Sequence, residues 1–272
     1  MVNPCHLCGL WALTATTLIV GQPAVSLALA THAAPRSNPS ILEQPLPLAF
    51  LFKFRDEEDK DKPGRTAATG ARGRGVCNSD STNTSTSTNT NTSTKNFTPL
   101  APLKGIGLTT DSHPTFFWYL PDSPNKPLVF KLWNGDELIW EQTFPQPPAG
   151  LMQVELPQEK APLVQKREYS WTVRIICNPE RNDKNPLVTA WIKRIAEPTE
   201  LTKKLTPATS LPADLLQRAD AYASEGIWYN TLQTLIAVRQ IAPQNSSAKE
   251  NLLNLLQQGD LSEVGEDLVL LR

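Results

Sequence analysis

Between Leu103 and Ile195 the apolar residues fall into seven short runs, several alternating with polar residues and all separated by turn formers. The runs are 104–109, 115–119, 127–133, 137–144, 149–156, 168–177 and 187–195. A period of two sends successive side chains to opposite faces of an extended chain, so each run predicts a β-strand. Asn134-Gly135-Asp136 joins the third run to the fourth, and Asn-Gly accepts the positive φ of a tight hairpin turn. Pro121, Pro124 and Pro127 bound one further turn, and Pro145, Pro147 and Pro148 another. After Pro198 the period changes to that of a helix. Three helices are expected, over Leu211–Glu225 with Pro212 at its start, Trp228–Ala242 ended by Pro243, and Ser246–Gln257 followed by Gly259.

Seven strands within about 100 residues is the count of an immunoglobulin- or fibronectin III-like β-sandwich. The fold class expected is therefore mainly β, a seven-stranded sandwich followed by a helical hairpin. In the sixth run Tyr169, Trp171, Val173, Ile175 and Cys177 share one face, against Ser170, Thr172 and Arg174 on the other. Leu163 stands six residues before Tyr169, an arrangement similar to a tyrosine corner, where the phenol bonds back to the loop entering the strand. Tyr169 and Trp171 are accordingly expected to be structural. Trp133 shares its face with Lys131 and Val129, while Trp191 lies with Thr189 and Lys193. Trp133, Trp191 and Lys131 thus form a candidate outward surface, for stacking a sugar or, in the preferred reading, for docking the helices that follow.

The stretch Ala221-Tyr222-Ala223-Ser224-Glu225-Gly226-Ile227-Trp228, ending at Pro243, resembles the middle and end of one tetratricopeptide unit, with Thr231 where that repeat has a smaller residue. One unit is short of the three or so that make a concave peptide groove, so Gly226 and Trp228 are expected to shape a hairpin packed on the sandwich.

The N-terminal third reads differently. Met1 to Ala30 contain no acidic residue, Lys or Arg; Leu10–Val20 is apolar, Gly21-Gln22-Pro23 breaks it, and Ala28-Leu29-Ala30 supplies small residues at a cleavage site. The apolar run falls short of the roughly 20 residues that span a bilayer. Residues 1–30 are thus expected to be a signal peptide, cut after Ala30 or Ala33. Residues 31–97 predict a disordered linker, through the apolar patch Leu46–Phe54, the mixed charges of Arg55–Lys62, the basic glycine-rich Arg65–Gly75 and a Ser/Thr/Asn tract from Asn78 to Asn96. The sandwich would occupy 98–197 and the helical region, packed on it, 198–272.

Charge narrows the functions open to this fold. Twenty-six basic against 27 acidic residues leave a net charge of −1, which excludes a polybasic nucleic-acid or membrane-surface protein. Of four cysteines, Cys5 and Cys8 leave with the signal peptide, so Cys5-His6-Leu7-Cys8 is no metal site. Cys77 and Cys177 remain, and an exported protein with two cysteines is expected to join them in a disulfide. No cofactor is expected, since neither a phosphate-binding loop nor a dinucleotide fingerprint occurs. His113 has no accompanying nucleophile pattern, and Glu137 with Glu141 or Glu155 with Glu159 would suit glycoside hydrolysis only at the right separation. The expected function is a non-catalytic module, exported to the periplasm, envelope or medium, that binds a protein or envelope polymer. A polysaccharide hydrolase using carboxylates and a cytosolic tetratricopeptide adaptor are the alternatives.

Several segments together resemble one known family. They are Arg74-Gly75-Val76-Cys77, Gly107-Leu108-Thr109 leading to Pro114-Thr115-Phe116-Phe117-Trp118-Tyr119-Leu120-Pro121, Tyr169-Ser170-Trp171 through Cys177, Trp191-Ile192, and Gly226-Ile227-Trp228-Tyr229. Over about residues 72–265 the chain is similar to the cyanobacterial family known as domain of unknown function 928, with the Ser/Thr/Asn tract as an insertion. The resemblance implies a cyanobacterial envelope or secreted protein and no particular activity.

Overall fold

Alternation in the strand region is realised as two stacked sheets. The computed structural model describes residues 50–55, 62–69, 77, 96–205 and 210–270; residues 1–30, expected to be a signal peptide and containing Cys5 and Cys8, and the tract from 78 to 95 lie outside the described residues. Among the described residues nine strands follow one another: β1 (Arg65–Thr69), β2 (Thr98–Pro99), β3 (Gly107–Thr109), β4 (Thr115–Leu120), β5 (Leu128–Asn134), β6 (Glu137–Phe144), β7 (Gly150–Glu155), β8 (Glu168–Ile175) and β9 (Leu187–Arg194). The larger sheet has the order β1-β9-β8-β5-β6, with β3 on β9 in parallel; the smaller has the order β2-β4-β7. All seven runs read from the sequence form strands. Asn134 pairs with Glu137 across Gly135-Asp136, and Gly135 has the positive φ, +59°, that the turn needs.

The inner faces meet through aromatic rings. Phe116 of β4 lies 5.1 Å from Phe130 of β5 and 5.6 Å from Trp171 of β8, measured between centroids. Trp118 stacks on Phe130 at 6.1 Å. Along β8 every second residue is buried, from Tyr169 to Ile175. Strand β4 is buried along its whole length because it has neighbours on both faces. Phe116 and Trp118 face the larger sheet, and on the other face Tyr119 donates a hydrogen bond to Asp267 in a helix.

Among the described residues five helices follow the strands: α1 (Thr199–Lys204), α2 (Pro212–Ser224), α3 (Trp228–Ile241), α4 (Ser246–Gln258) and α5 (Ser262–Leu270). Each packs on the next from α1 to α5, except that α3 alone also rests on both β3 and β4, while α5 reaches β7. Thr231, the departure from the repeat pattern, is fully buried and sends its hydroxyl to the Ile227 carbonyl one turn back, 2.8 Å away. The sequence showed neither α1 nor α5, the first being one and a half turns long and the second carrying Gly265 at its centre.

Two stretches inside the span that reads as linker belong to this fold, so the ordered chain begins earlier than Phe97. Residues 62–69 supply β1, which pairs with the edge of β9. Residues 50–55 lie against the helices, with Phe52 buried. Local composition favours neither; their partners lie far along the chain, from Ala101, Leu103 and Gly105 for residues 62–65 to Ala190 and Gln258. Cys77 is bonded to Cys177 just beyond β8, across a sequence separation of 100. Closing such a loop contributes up to about 4–5 kcal/mol in the chain-entropy treatment. At the other end of β8, the Val164 N–H donates to the Tyr169 hydroxyl at 2.9 Å, with Leu163 buried beside it.

Candidate functional site

The residues 50–55 form an extended strap. Phe50, Phe52 and Phe54 alternate with Leu51, Lys53 and Arg55, so one edge of the strap is aromatic. The Lys53 N–H donates to the Ala223 carbonyl at the end of α2, and the Phe52 N–H to Gln258 Oε1 at the end of α4. Phe52 meets the Trp228 ring edge-on at 5.3 Å, and Phe54 stacks on it at 6.4 Å while remaining 41% exposed. The strap passes so close to the α2–α3 turn that a Cβ on Gly226 would fall 2.5 Å from the Lys53 carbonyl oxygen. Gly226 also has φ +69°, a conformation costly for any L side chain.

Trp228 is the hinge between three parts of the molecule. Its Nε1 donates to the Leu100 carbonyl at 2.9 Å, tying α3 to the chain after β2. Its ring fills the place a side chain on Gly259 would need, 2.2 Å from the position of a Cβ there. Next to it, Trp171 Nε1 donates to the Tyr229 hydroxyl at 2.8 Å, and that hydroxyl donates to the Trp191 carbonyl at 3.0 Å. Burial pushes the Tyr229 phenol well above its usual range, so it keeps its proton for this bond.

Arg65 closes the same corner from β1. Its Nη1 donates to the Ala101 and Gly259 carbonyls, each at 2.8 Å, and its Nη2 to the Asp260 carbonyl at 2.7 Å. Two of these oxygens end helix α4, where carbonyls lack intrahelical partners and a cation is favoured. Burial brings the guanidinium down to about 10, against the pull of the Asp260 charge. A Cβ on Gly64, just before it, would fall 2.2 Å from the Gly105 carbonyl oxygen, so the 62–65 and 102–105 backbones touch.

Between these parts opens a cleft of about 480 Å³, within the usual size of small-molecule sites. Its buried lining is apolar, from Phe52, Pro102, Ile106 and Trp228. At its exposed edge stand Phe54, Leu103, Arg55, Lys104 and Asp260, with Lys193 half-buried. Glu168 lies 3.7 Å from Lys193 and 2.8 Å from Lys62. Among the described residues Asp260 supplies the sole carboxylate of the lining, which includes no Ser, Thr, Cys or His.

Of the residues singled out in the sequence, Gly226 and Trp228 line this cleft, whereas Trp171 and Tyr169 sit in the sandwich core. Trp133 and Trp191 are brought into one cross-strand row with Ser170 between them, on the outer face of the larger sheet and half-buried. Lys131, in the next row, pairs with Glu141 at 2.9 Å and lies 5.8 Å from the Trp133 ring centroid. Trp133 Nε1 donates to Thr172 at 3.3 Å. What the helices take from Trp191 is its main-chain carbonyl, through Tyr229. His113 is held between Ser112 Oγ and the Lys160 carbonyl. Among the described residues no three His, Cys, Asp or Glu converge as metal ligands, and no helix is long and apolar enough to cross a membrane.

A polar cluster flanks the cleft. The Asn230 side chain, 3% exposed, accepts from Thr109 Oγ1 and from the Thr110 N–H and donates to Thr110 Oγ1. Beside it burial raises the Asp111 carboxyl above its usual range, with Asn230 and Arg194 acting the other way. The sequence reading missed Phe52, Phe54, Arg65, Gly259 and Asn230. The alternating phenylalanines of 50–54 were a usable signal for the strap; a lone Arg in a glycine-rich stretch carries none.

No curated protein matches the chain. The model of one family, described as Domain of Unknown Function (DUF928), matches residues 68–269, which takes in the end of β1, the strands from β2 to β9 and the helices and leaves out Arg65 and the strap. The chain belongs to the DUF928 family.

Proposed function

We propose that the protein is an exported, non-catalytic binding module of the cell envelope or extracellular space. Its scaffold is an immunoglobulin/fibronectin III-like sandwich braced by a tetratricopeptide-type hairpin of α2 and α3. The order β9-β8-β5-β6 opposite β4-β7 supports the sandwich reading, as does the hydroxyl bond of Tyr169 at the start of β8. The turn at Gly226 supports the hairpin. Export rests on the sequence of residues 1–30 and agrees with the Cys77–Cys177 disulfide.

The observation that carries the binding reading is the cleft, apolar inside and lined, among the described residues, by a single carboxylate. Carboxylate-pair hydrolysis needs two acidic groups across one bond, and nucleophilic catalysis needs a nucleophile with a base beside it. A concave apolar site with polar groups at its edge is what small-ligand binding needs. Export is tested on protein recovered from its natural source. Its amino terminus should be Thr31 or Ala34, and Cys77 and Cys177 should resist alkylation in denatured, unreduced protein. A chain beginning at Met1 with two reactive thiols would overturn it.

A further inference from the structure

Charge at the cleft is unevenly shared. Among the described residues Arg55 and Lys104 stand exposed at its edge and Lys193 lines it, against the one carboxylate of Asp260. That carboxylate already acts on the buried guanidinium of Arg65, and Glu168 serves Lys62 together with Lys193. Inside, the lining is aromatic and aliphatic, and the apolar surface continues outward to Phe54 and Leu103, 41% and 40% exposed. Exposed apolar side chains next to cations favour a molecule that is apolar at one end and anionic at the other.

We propose that the cleft binds an amphipathic monoanion, its apolar body against Phe52, Ile106 and Trp228 and its carboxylate or phosphate among Arg55, Lys104 and Lys193. This rests on the reading of the protein as a binding module and names the ligand class of that same site.

The test is calorimetric titration of the full chain, which retains the acidic residues 56–61 next to Arg55 in sequence. The probes are decanoate, dodecanoate, dodecyl phosphate and dodecanol, each kept below its micelle concentration. Dodecanoate or dodecyl phosphate should bind saturably and at least tenfold more tightly than dodecanol. Which of the two binds better separates a fatty acid from a monoacyl phospholipid. From decanoate to dodecanoate the affinity should rise about fourfold per methylene, the value expected for burial of an alkyl chain. Lys104→Glu and Leu103→Asp, both at exposed positions that leave the core intact, should each weaken dodecanoate about tenfold; Lys104→Glu should leave dodecanol within twofold, whereas Leu103→Asp, which removes apolar surface, should weaken dodecanol as well. Equal binding of dodecanol and dodecanoate, or anion binding indifferent to both substitutions, overturns the monoanion and leaves the binding module standing. The absence of saturable binding by every probe removes the cleft as a ligand site, and with it the reading of the protein that rests on it.

Discussion

The sandwich interior and the seam where strap, strands and helices meet both bury large aromatic side chains, yet they are held differently. Between the sheets, rings of Phe116, Trp118, Phe130 and Trp171 fill space, and the Trp118 Nε1 is buried without a hydrogen-bond partner among the described residues. At the seam, Trp171 Nε1, Trp228 Nε1, the Tyr229 hydroxyl, the Asn230 amide and the Arg65 guanidinium are all bonded to named groups. Volume and hydrophobicity can stack two sheets, because many small adjustments fill a core equally well. Seating helices at one place on a sandwich edge needs directional bonds, since an apolar contact alone would allow sliding. The cleft lies on the directional side of this divide.

The contrast predicts a ranked series of losses. Arg65→Leu, which takes the guanidinium from three main-chain oxygens and leaves only that of Gly259 another donor, the Leu103 N–H, should cost about 3 kcal/mol or more in denaturant unfolding. A loss below about 1 kcal/mol would mean that water replaces the guanidinium and that the corner is not pinned. Gly226→Ala should cost about 2 kcal/mol through its left-handed φ and the approach of Lys53. It should also free the strap, read as faster tryptic cleavage after Lys53 and Arg55; unchanged cleavage would separate the strap from the turn.

A third comparison sets indole against indole. Trp228→Phe and Trp118→Phe remove similar volumes, but only the first leaves a carbonyl, that of Leu100, without its donor. Trp228→Phe should therefore be the costlier by about 1 kcal/mol, and equal losses would erase the distinction between core and seam. The smallest effect concerns Asp111, whose carboxyl is raised by burial. A raised folded pKa means that protonation favours the native state: the contribution is present below the ordinary carboxylate range and is lost as pH climbs through the folded value. Asp111→Asn should thus gain on wild type as pH rises from 3 toward neutrality, measured by thermal melts. A difference that stays flat over that range would show the carboxyl to be unshifted.

Legibility followed the same divide. The alternation of Tyr169, Trp171, Val173 and Ile175 stated which face of β8 is inside, and the burial is in register with it. The Asn134-Gly135 turn and the helical periods of α2, α3 and α4 were equally local. By contrast, Arg65 looked like part of a basic linker, and Phe52 like part of a stray apolar patch. Gly259 looked like an ordinary helix end, although a tryptophan ring occupies its side-chain space.

From the sequence by itself came seven of the nine described strands, their inner faces, most helices and a composition with no room for a polybasic function. These are set by periods of two and 3.6 and by turn residues, all of which act over a few positions. The tertiary structure alone decided that 50–55 and 62–69 join the fold, that Trp228 rests on Gly259, and that three cations share the edge of one apolar cleft. Those outcomes depend on groups from Phe52 to Asp260 arriving together. A hydrogen bond or a ring contact between such distant positions leaves no period in the chain to reveal it.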